Sequence, residues 1–167
     1  KDLIKINQKT KLIFSNKKNI IDNGIRVSVD LSNDQKICAY VAKKTSSYLD
    51  FSKINFYEIK KFWQPLKPIK NSLIIEKNKF YILRSKEKIC IPSNLAGEMI
   101  PYDTGIGDFR AHYAGFFDPG FGDPEGSYAV LEVKTNELPF MLEDGQTIAR
   151  IKYEKLNKKT SVVYVSS

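Results

Sequence analysis

The sequence is poor in the residues that build metal and redox sites. It has one histidine, His112, and two cysteines, Cys38 and Cys90, far apart in the chain. Three such residues at that spacing do not make a zinc site of the usual kinds. The His-x-Glu and Pro-Cys-x-x-Cys signatures of zinc nucleobase deaminases are missing, as are the Gly-x-x-x-x-Gly-Lys phosphate loop and the serine elbow of hydrolases. Both cysteines lie in apolar, strand-like runs and read as buried free thiols, which suits a cytoplasmic setting. Long hydrophobic runs are also lacking. No segment approaches the ~20 apolar residues of a membrane span, and Lys1-Asp2-Leu3-Ile4-Lys5 has no signal-like apolar core. The chain begins without methionine, which reads as a fragment or a processed form. Arginine is scarce, with Arg26, Arg84, Arg110 and Arg150 against 23 lysines. Sequence-reading nucleic-acid binders lean on arginine for bidentate contacts, and no basic helix, RNA-binding aromatic motif or finger spacing occurs.

What is present is a charge of +8 and 42% hydrophobic residues over 167 positions, enough for one domain with a core. The charge fits either a solvated lysine-rich surface or a polyanionic partner, nucleic acid or a nucleoside triphosphate. Short apolar alternations separated by turns dominate, so the expectation is an all-β sandwich or barrel with one or two short helical turns. Ile25 to Leu31 alternates cleanly and is expected to form a hairpin with Lys36 to Ala42. Phe56 to Trp63 reads as a short helix or strand that stops before Pro65. Leu73 to Ile75 and Phe80 to Arg84 suggest a second hairpin, and Lys88 to Ile91 a further strand. Ser93 to Ala96 suits a capped helical turn. Leu138 to Leu142, an acidic turn at Glu143-Asp144-Gly145 and Gln146 to Leu156 close one domain over residues 1–160. Residues 161–167 read as a loose tail.

The stretch from Gly107 to Glu132 concentrates the chemistry. Asp118-Pro119-Gly120 sets a tight turn, because proline presets φ and glycine accepts φ > 0. Tyr113, Phe116, Phe117 and Phe121 crowd it. Gly120, Gly122 and Gly126 form a glycine-rich loop with no helix after it, a weak phosphate signal. From Tyr128 to Lys134 the pattern has period two: Ala129, Leu131 and Val133 point one way, and Tyr128, Val130, Glu132 and Lys134 the other. Glu132 is a carboxylate amid a hydrophobic strand. Either it faces solvent, or partial burial suits it to carrying a proton. Asp118 is placed to accept a sugar hydroxyl and Phe121 to cover a sugar face; ordinary turn and surface roles are the alternative.

These residues carry a resemblance. YAGFFDPGFG (113–122), AVLEV (129–133), LPFMLEDGQTIARIKYEKL (138–156) and VSVDLS (27–32) resemble the dCTP deaminase and dUTPase superfamily. The similarity is greatest to the C-terminal half of double-length bacterial 2′-deoxycytidine 5′-triphosphate deaminases. FWQPL (62–66), FYILRS (80–85) and AGEMIPYD (96–103) extend it over nearly the whole chain. The resemblance implies a distorted jelly-roll of the β-clip type, assembled as a homotrimer or as a pseudo-trimer with a homologous half. It implies zinc-independent hydrolysis of dCTP to dUTP and ammonia, with no cofactor held by side chains and Mg²⁺ accompanying the triphosphate. Neither nucleic acid nor membrane is expected as a partner. By position Glu132 matches the proton-shuttling glutamate, Asp118 the aspartate at the deoxyribose 3′-hydroxyl and Phe121 the aromatic on the sugar. Val130, Leu131 and Ala114 match backbone positions near the base. Two departures stand out. The family's Arg-Ser-Ser-x-x-Arg phosphate segment is replaced by IPYDTGIGDFR (100–110), where Arg110 is the candidate phosphate ligand, and the C-terminal lid is unrecognisable in residues 161–167. A non-catalytic trimer-building half and a dUTP pyrophosphatase are the rival readings.

Overall fold

The computed structural model describes residues 2–15, 20–44, 48–101, 110–111, 115–135, 138–158, 160 and 162–164. Strands dominate these residues, and the helices are two short ones, α1 (Asp2–Lys9) and α2 (Ile59–Phe62). The largest sheet runs in the order β4 (Trp63–Leu66), β3 (Ala39–Ala42), β6 (Phe80–Ile89), β10 (Ser127–Lys134), β8 (Arg110–Ala111), with β1 (Ile13–Phe14) added on β6. A second sheet orders β2 (Ile25–Ser28), β12 (Thr147–Lys155), β7 (Leu95–Pro101) and β9 (Phe116–Phe117). A two-stranded ribbon pairs β5 (Ser72–Ile75) with β11 (Phe140–Glu143). All pairings between named strands are antiparallel.

The two larger sheets bury their facing sides against each other, as a sandwich requires. Ala129, Leu131 and Val133 of β10 and Tyr81 and Leu83 of β6 meet Val27, Met99, Ala149 and Ile151 of the other sheet in one apolar cluster. The expected alternations hold. Ile25, Val27, Val29 and Leu31 are all fully buried, and β10 alternates buried residues with exposed or half-buried ones along its length. Cys38 and Cys90 are buried and free.

Strand partners differ from the expectations. β2 pairs with β12, and β3 lies between β4 and β6, so Ile25–Leu31 and the following strand form no hairpin. β5 likewise pairs with β11 and not with β6. Between β5 and β6, Lys77 bridges Thr135, and the Asn78 N–H donates to the Thr135 carbonyl at 2.8 Å with Asn78 at φ 58. Periodicity names the buried side of a strand but not the strand beside it. Lys88 to Ile89 continue β6. After a turn at 93–94 the chain enters β7, so the expected helical turn at Ser93 is replaced by a strand with Leu95 and Met99 buried. The segment before Pro65 is both helix and strand: α2 ends at Phe62 and β4 carries Pro65. That is permitted because β4 is the outer member of its sheet, where a missing N–H costs no ladder bond. Helix α1 has no counterpart among the expectations. Its Leu3 and Ile6 cover a small cluster of Leu12, Ile13 and Ile25.

One irregularity shapes the face of the large sheet. Tyr128 pairs with Lys88 and Val130 with Arg84, so the single residue Ala129 spans Ser85, Lys86 and Glu87. Ser85 closes this bulge. Its hydroxyl accepts from the Ala129 N–H at 2.8 Å and donates to the Glu87 carbonyl at 2.6 Å. The buried Glu87 carboxylate accepts from the Ser28 N–H at 2.7 Å and the Ser28 hydroxyl at 2.6 Å. Three strands from both sheets are thereby joined by polar bonds that leave these interior groups satisfied.

Candidate active site

The Asp118-Pro119-Gly120 turn forms as expected. The Phe121 N–H donates to the Asp118 carbonyl at 3.0 Å, and Gly120 sits at φ +93, where other residues are strained. Two bonds fix the turn to the segment after β6: Gly120 N–H to the Ile91 carbonyl and Ile91 N–H to the Phe121 carbonyl, both 2.8 Å. That segment is itself anchored. The Cys90 N–H donates to the Leu12 carbonyl at 2.9 Å, and the Tyr153 hydroxyl donates to the Cys90 carbonyl at 3.0 Å. Burial pushes the Cys90 thiol up to about 11 and raises the Tyr153 phenol well above its ordinary range. The glycine-rich loop has a packing role: a side chain at Gly122 would meet the Ile89 carbonyl at 2.2 Å.

Residues 162–164 lie across this turn, which corrects the expectation of a loose tail for them. Tyr164 N–H donates to the Pro119 carbonyl at 2.8 Å, and its ring stands 5.5 Å from Phe121. A methyl group on Gly120 would meet Val163 Cβ at 2.8 Å. Phe121 is held on its other side by Phe117, edge to face at 5.0 Å. Asp118 itself is exposed.

Glu132 lies on the outward face of β10, half-buried, opposite Ile82 of β6. Val130, on the same face, is 58% exposed, while Leu131 points into the core with no exposure. Leu131 therefore has only its backbone to offer a ligand. On the other flank of β10, Arg110 pairs with Lys134 and Ala111 with Val133, which puts Arg110 on the strand beside Glu132. Ala114 and His112 lie outside the described residues. The expected residues thus fall in a line. Glu132, Leu131 and Val130 follow β10 toward Ser127, which pairs with Ile89 close to where the Asp118 turn is docked.

A cluster that sequence reasoning does not single out lies on this same face. The Arg84 guanidinium stands 4.3 Å from the ring centre of Tyr128, and Lys88 Nζ stands 5.4 Å from the same ring. Asp30, nearly buried, forms an ion pair with Arg84. It also accepts from Gln35 at 3.2 Å and Ser32 at 3.1 Å. Arg84, Tyr128, Asp30 and Gln35 border a cavity of about 280 Å³, walled also by Cys38, Tyr40, Ile82 and Val130. Tyr128 and Asp30 are visible in the outward pattern of β10 and in VSVDLS. Their meeting through Arg84 depends on strand register, which no local pattern encodes.

Residues 1–167 match the family described as 2'-deoxycytidine 5'-triphosphate deaminase (DCD), C-terminal domain. The chain belongs to this family. The crystal structure of 2'-deoxycytidine 5'-triphosphate deaminase from Agrobacterium tumefaciens is similar, with a TM-score of 0.83 and 38% identity over 93% of this chain and 47% of that one. This deaminase C-terminal domain therefore spans about half the length of that solved relative. The comparison with curated proteins gives no match. The expected all-β, dUTPase-like fold stands. No described helix is long and apolar enough to cross a membrane.

Proposed function

We propose that this domain takes part in the hydrolytic deamination of dCTP to dUTP and ammonia in deoxynucleotide metabolism, with Glu132 as the acid/base. Glu132 takes a proton from a water that attacks C4 of the cytosine ring. The proton passes to N3, giving a tetrahedral carbon that bears both hydroxyl and amine. The amine then gains the hydroxyl proton by way of the same carboxylate and leaves as ammonia, restoring C4=O. One group serves both as base and as acid, as such a sequence requires. The observation that carries this reading is a half-buried carboxylate on the outward face of β10, flanked by Leu131 and Val133, in a domain of the deaminase family.

The remaining roles follow the line of the strand. The base would lie against the backbone of Val130, Leu131 and Ala114, the 3′-hydroxyl would bond to Asp118, and Phe121 would cover the sugar. Arg110 is the candidate phosphate ligand from the sequence resemblance. Mg²⁺ would enter with the nucleotide as part of the substrate, and no zinc would be needed. A cytoplasmic homotrimer, or a pseudo-trimer with a homologous half, would close the site from the side that β10 leaves open. The test is Glu132→Gln, which keeps shape and removes the ionisable proton. Turnover should fall at least a hundredfold with the thermal midpoint unchanged, and unaltered turnover removes Glu132 from the chemistry.

A second reading has an observation of its own. The candidate residues are strung along one strand and one turn, and the cavity beside them includes Tyr128 and Val130 but not Glu132. On that reading the domain builds the assembly while a partner half holds the complete site. Glu132→Gln would then be harmless, and removing the domain would disrupt assembly.

A further inference from the structure

The cluster around Tyr128 has the chemistry of an anion site. Two cations approach one ring, Arg84 at 4.3 Å and Lys88 at 5.4 Å. Among the described residues a single carboxylate offsets them: Asp30 pairs with Arg84, and none pairs with Lys88. Asp30 is itself fixed by Gln35 and Ser32, so it works as a bracket that holds the guanidinium plane over the ring. An arginine held in this way has less freedom to lose when it binds, and its planar fork matches phosphate oxygens. Its side chain is 39% exposed, so its remaining donors reach solvent at the cavity. The nearby Lys86 is engaged elsewhere, by Asp144.

Position agrees with charge. Along the β10–β6 pair, Arg84 is opposite Val130 and Lys88 opposite Tyr128, between Glu132 and the Asp118 turn. Both cations therefore sit on one stretch of the β10–β6 pair, beside Val130 and Tyr128. The bulge at Ser85–Glu87 brings Arg84 and Lys88 to the same ring, because three residues of β6 are spanned by Ala129 alone. We propose that Arg84 and Lys88, set around Tyr128 and braced by Asp30, form a polyphosphate-binding subsite in this domain. Its ligand is a polyphosphate chain, separate from the nucleotide placed at Glu132 and the Asp118 turn, so the subsite does not rest on the deaminase reading.

Calorimetric titration of the chain with sodium tripolyphosphate and with dCTP tests it. Arg84→Met should weaken tripolyphosphate binding at least tenfold, Lys88→Met several-fold, and Arg84→Lys less than Arg84→Met, with deoxycytidine binding unchanged in all three. Lys88→Met touches no buried bond, so it gives a result even if Arg84→Met does not fold. Tripolyphosphate binding that is absent in the parent chain, or indifferent to both positions, overturns the subsite. A change in oligomeric mass in Arg84→Met, with anion binding intact, assigns the cluster to an interface and also overturns it. If Arg84 governs tripolyphosphate binding while dCTP is not deaminated, the subsite stands and the deaminase reading falls. If dCTP is deaminated while binding is indifferent to Arg84 and Lys88, the subsite falls and the deaminase reading stands.

Discussion

The Ser85 hydroxyl accepts a hydrogen bond from the buried Ala129 N–H at 2.8 Å, replacing a ladder bond that the β6 bulge removes. Because β10 carries Glu132 three residues further on, this one bond helps set which face the carboxylate presents. Ser85→Ala would leave the N–H without a partner in the core. Such a group costs about 1–3 kcal/mol, so urea unfolding should show a loss of that size. A loss well below it would mean that the bulge tolerates slippage.

Gly120 combines φ +93 with a close approach by Val163 and Tyr164. Gly120→Ala should therefore cost about 1–3 kcal/mol from backbone strain and loosen the 162–164 segment from the turn. Thermal melting reads the first effect. Limited proteolysis near the C-terminus reads the second, and both should move together.

The Cys90 thiol, pushed up to about 11 by burial, gives a pH signature. The folded chain holds this proton more tightly than the unfolded one. Its contribution is fully present below the ordinary thiol range and is lost as pH rises through about 11. The stability difference between the parent and Cys90→Ala should be constant at neutral pH. It should then shrink above pH ~9 by at most about 1.4 kcal/mol per unit. A difference that stays flat to pH ~11 contradicts the burial argument. Native labelling by a thiol reagent at neutral pH should be slow for the same reason.

The strand faces are readable because they depend on local pattern, whereas the stretch before Pro65, open between helix and strand, turns out to hold both and its strand runs on through Pro65. Ile25, Val27, Val29 and Leu31 follow one another at period two, and all four are buried. The Asp118 turn is readable because proline and glycine dictate backbone angles directly. Strand partners are not, since β2 and β12 are brought together over more than a hundred residues and neither carries a mark of the other. For the same reason Glu132, Asp118 and Phe121 can be named from sequence, while Arg84 over Tyr128 cannot. Helix α1 is hidden because its apolar contacts, Leu3 and Ile6, fall among lysines and asparagine.

The deamination of dCTP proposed for this domain has a direct test. Purified chain should be incubated with dCTP and Mg²⁺, with any zinc first removed by a chelator, and the nucleotides and ammonia separated by chromatography. The account predicts dUTP and ammonia in equal amounts, and their loss in Glu132→Gln. Intact dCTP after incubation with folded parent chain, or dUMP and pyrophosphate formed in a parallel incubation with dUTP while dCTP yields no ammonia, would contradict it.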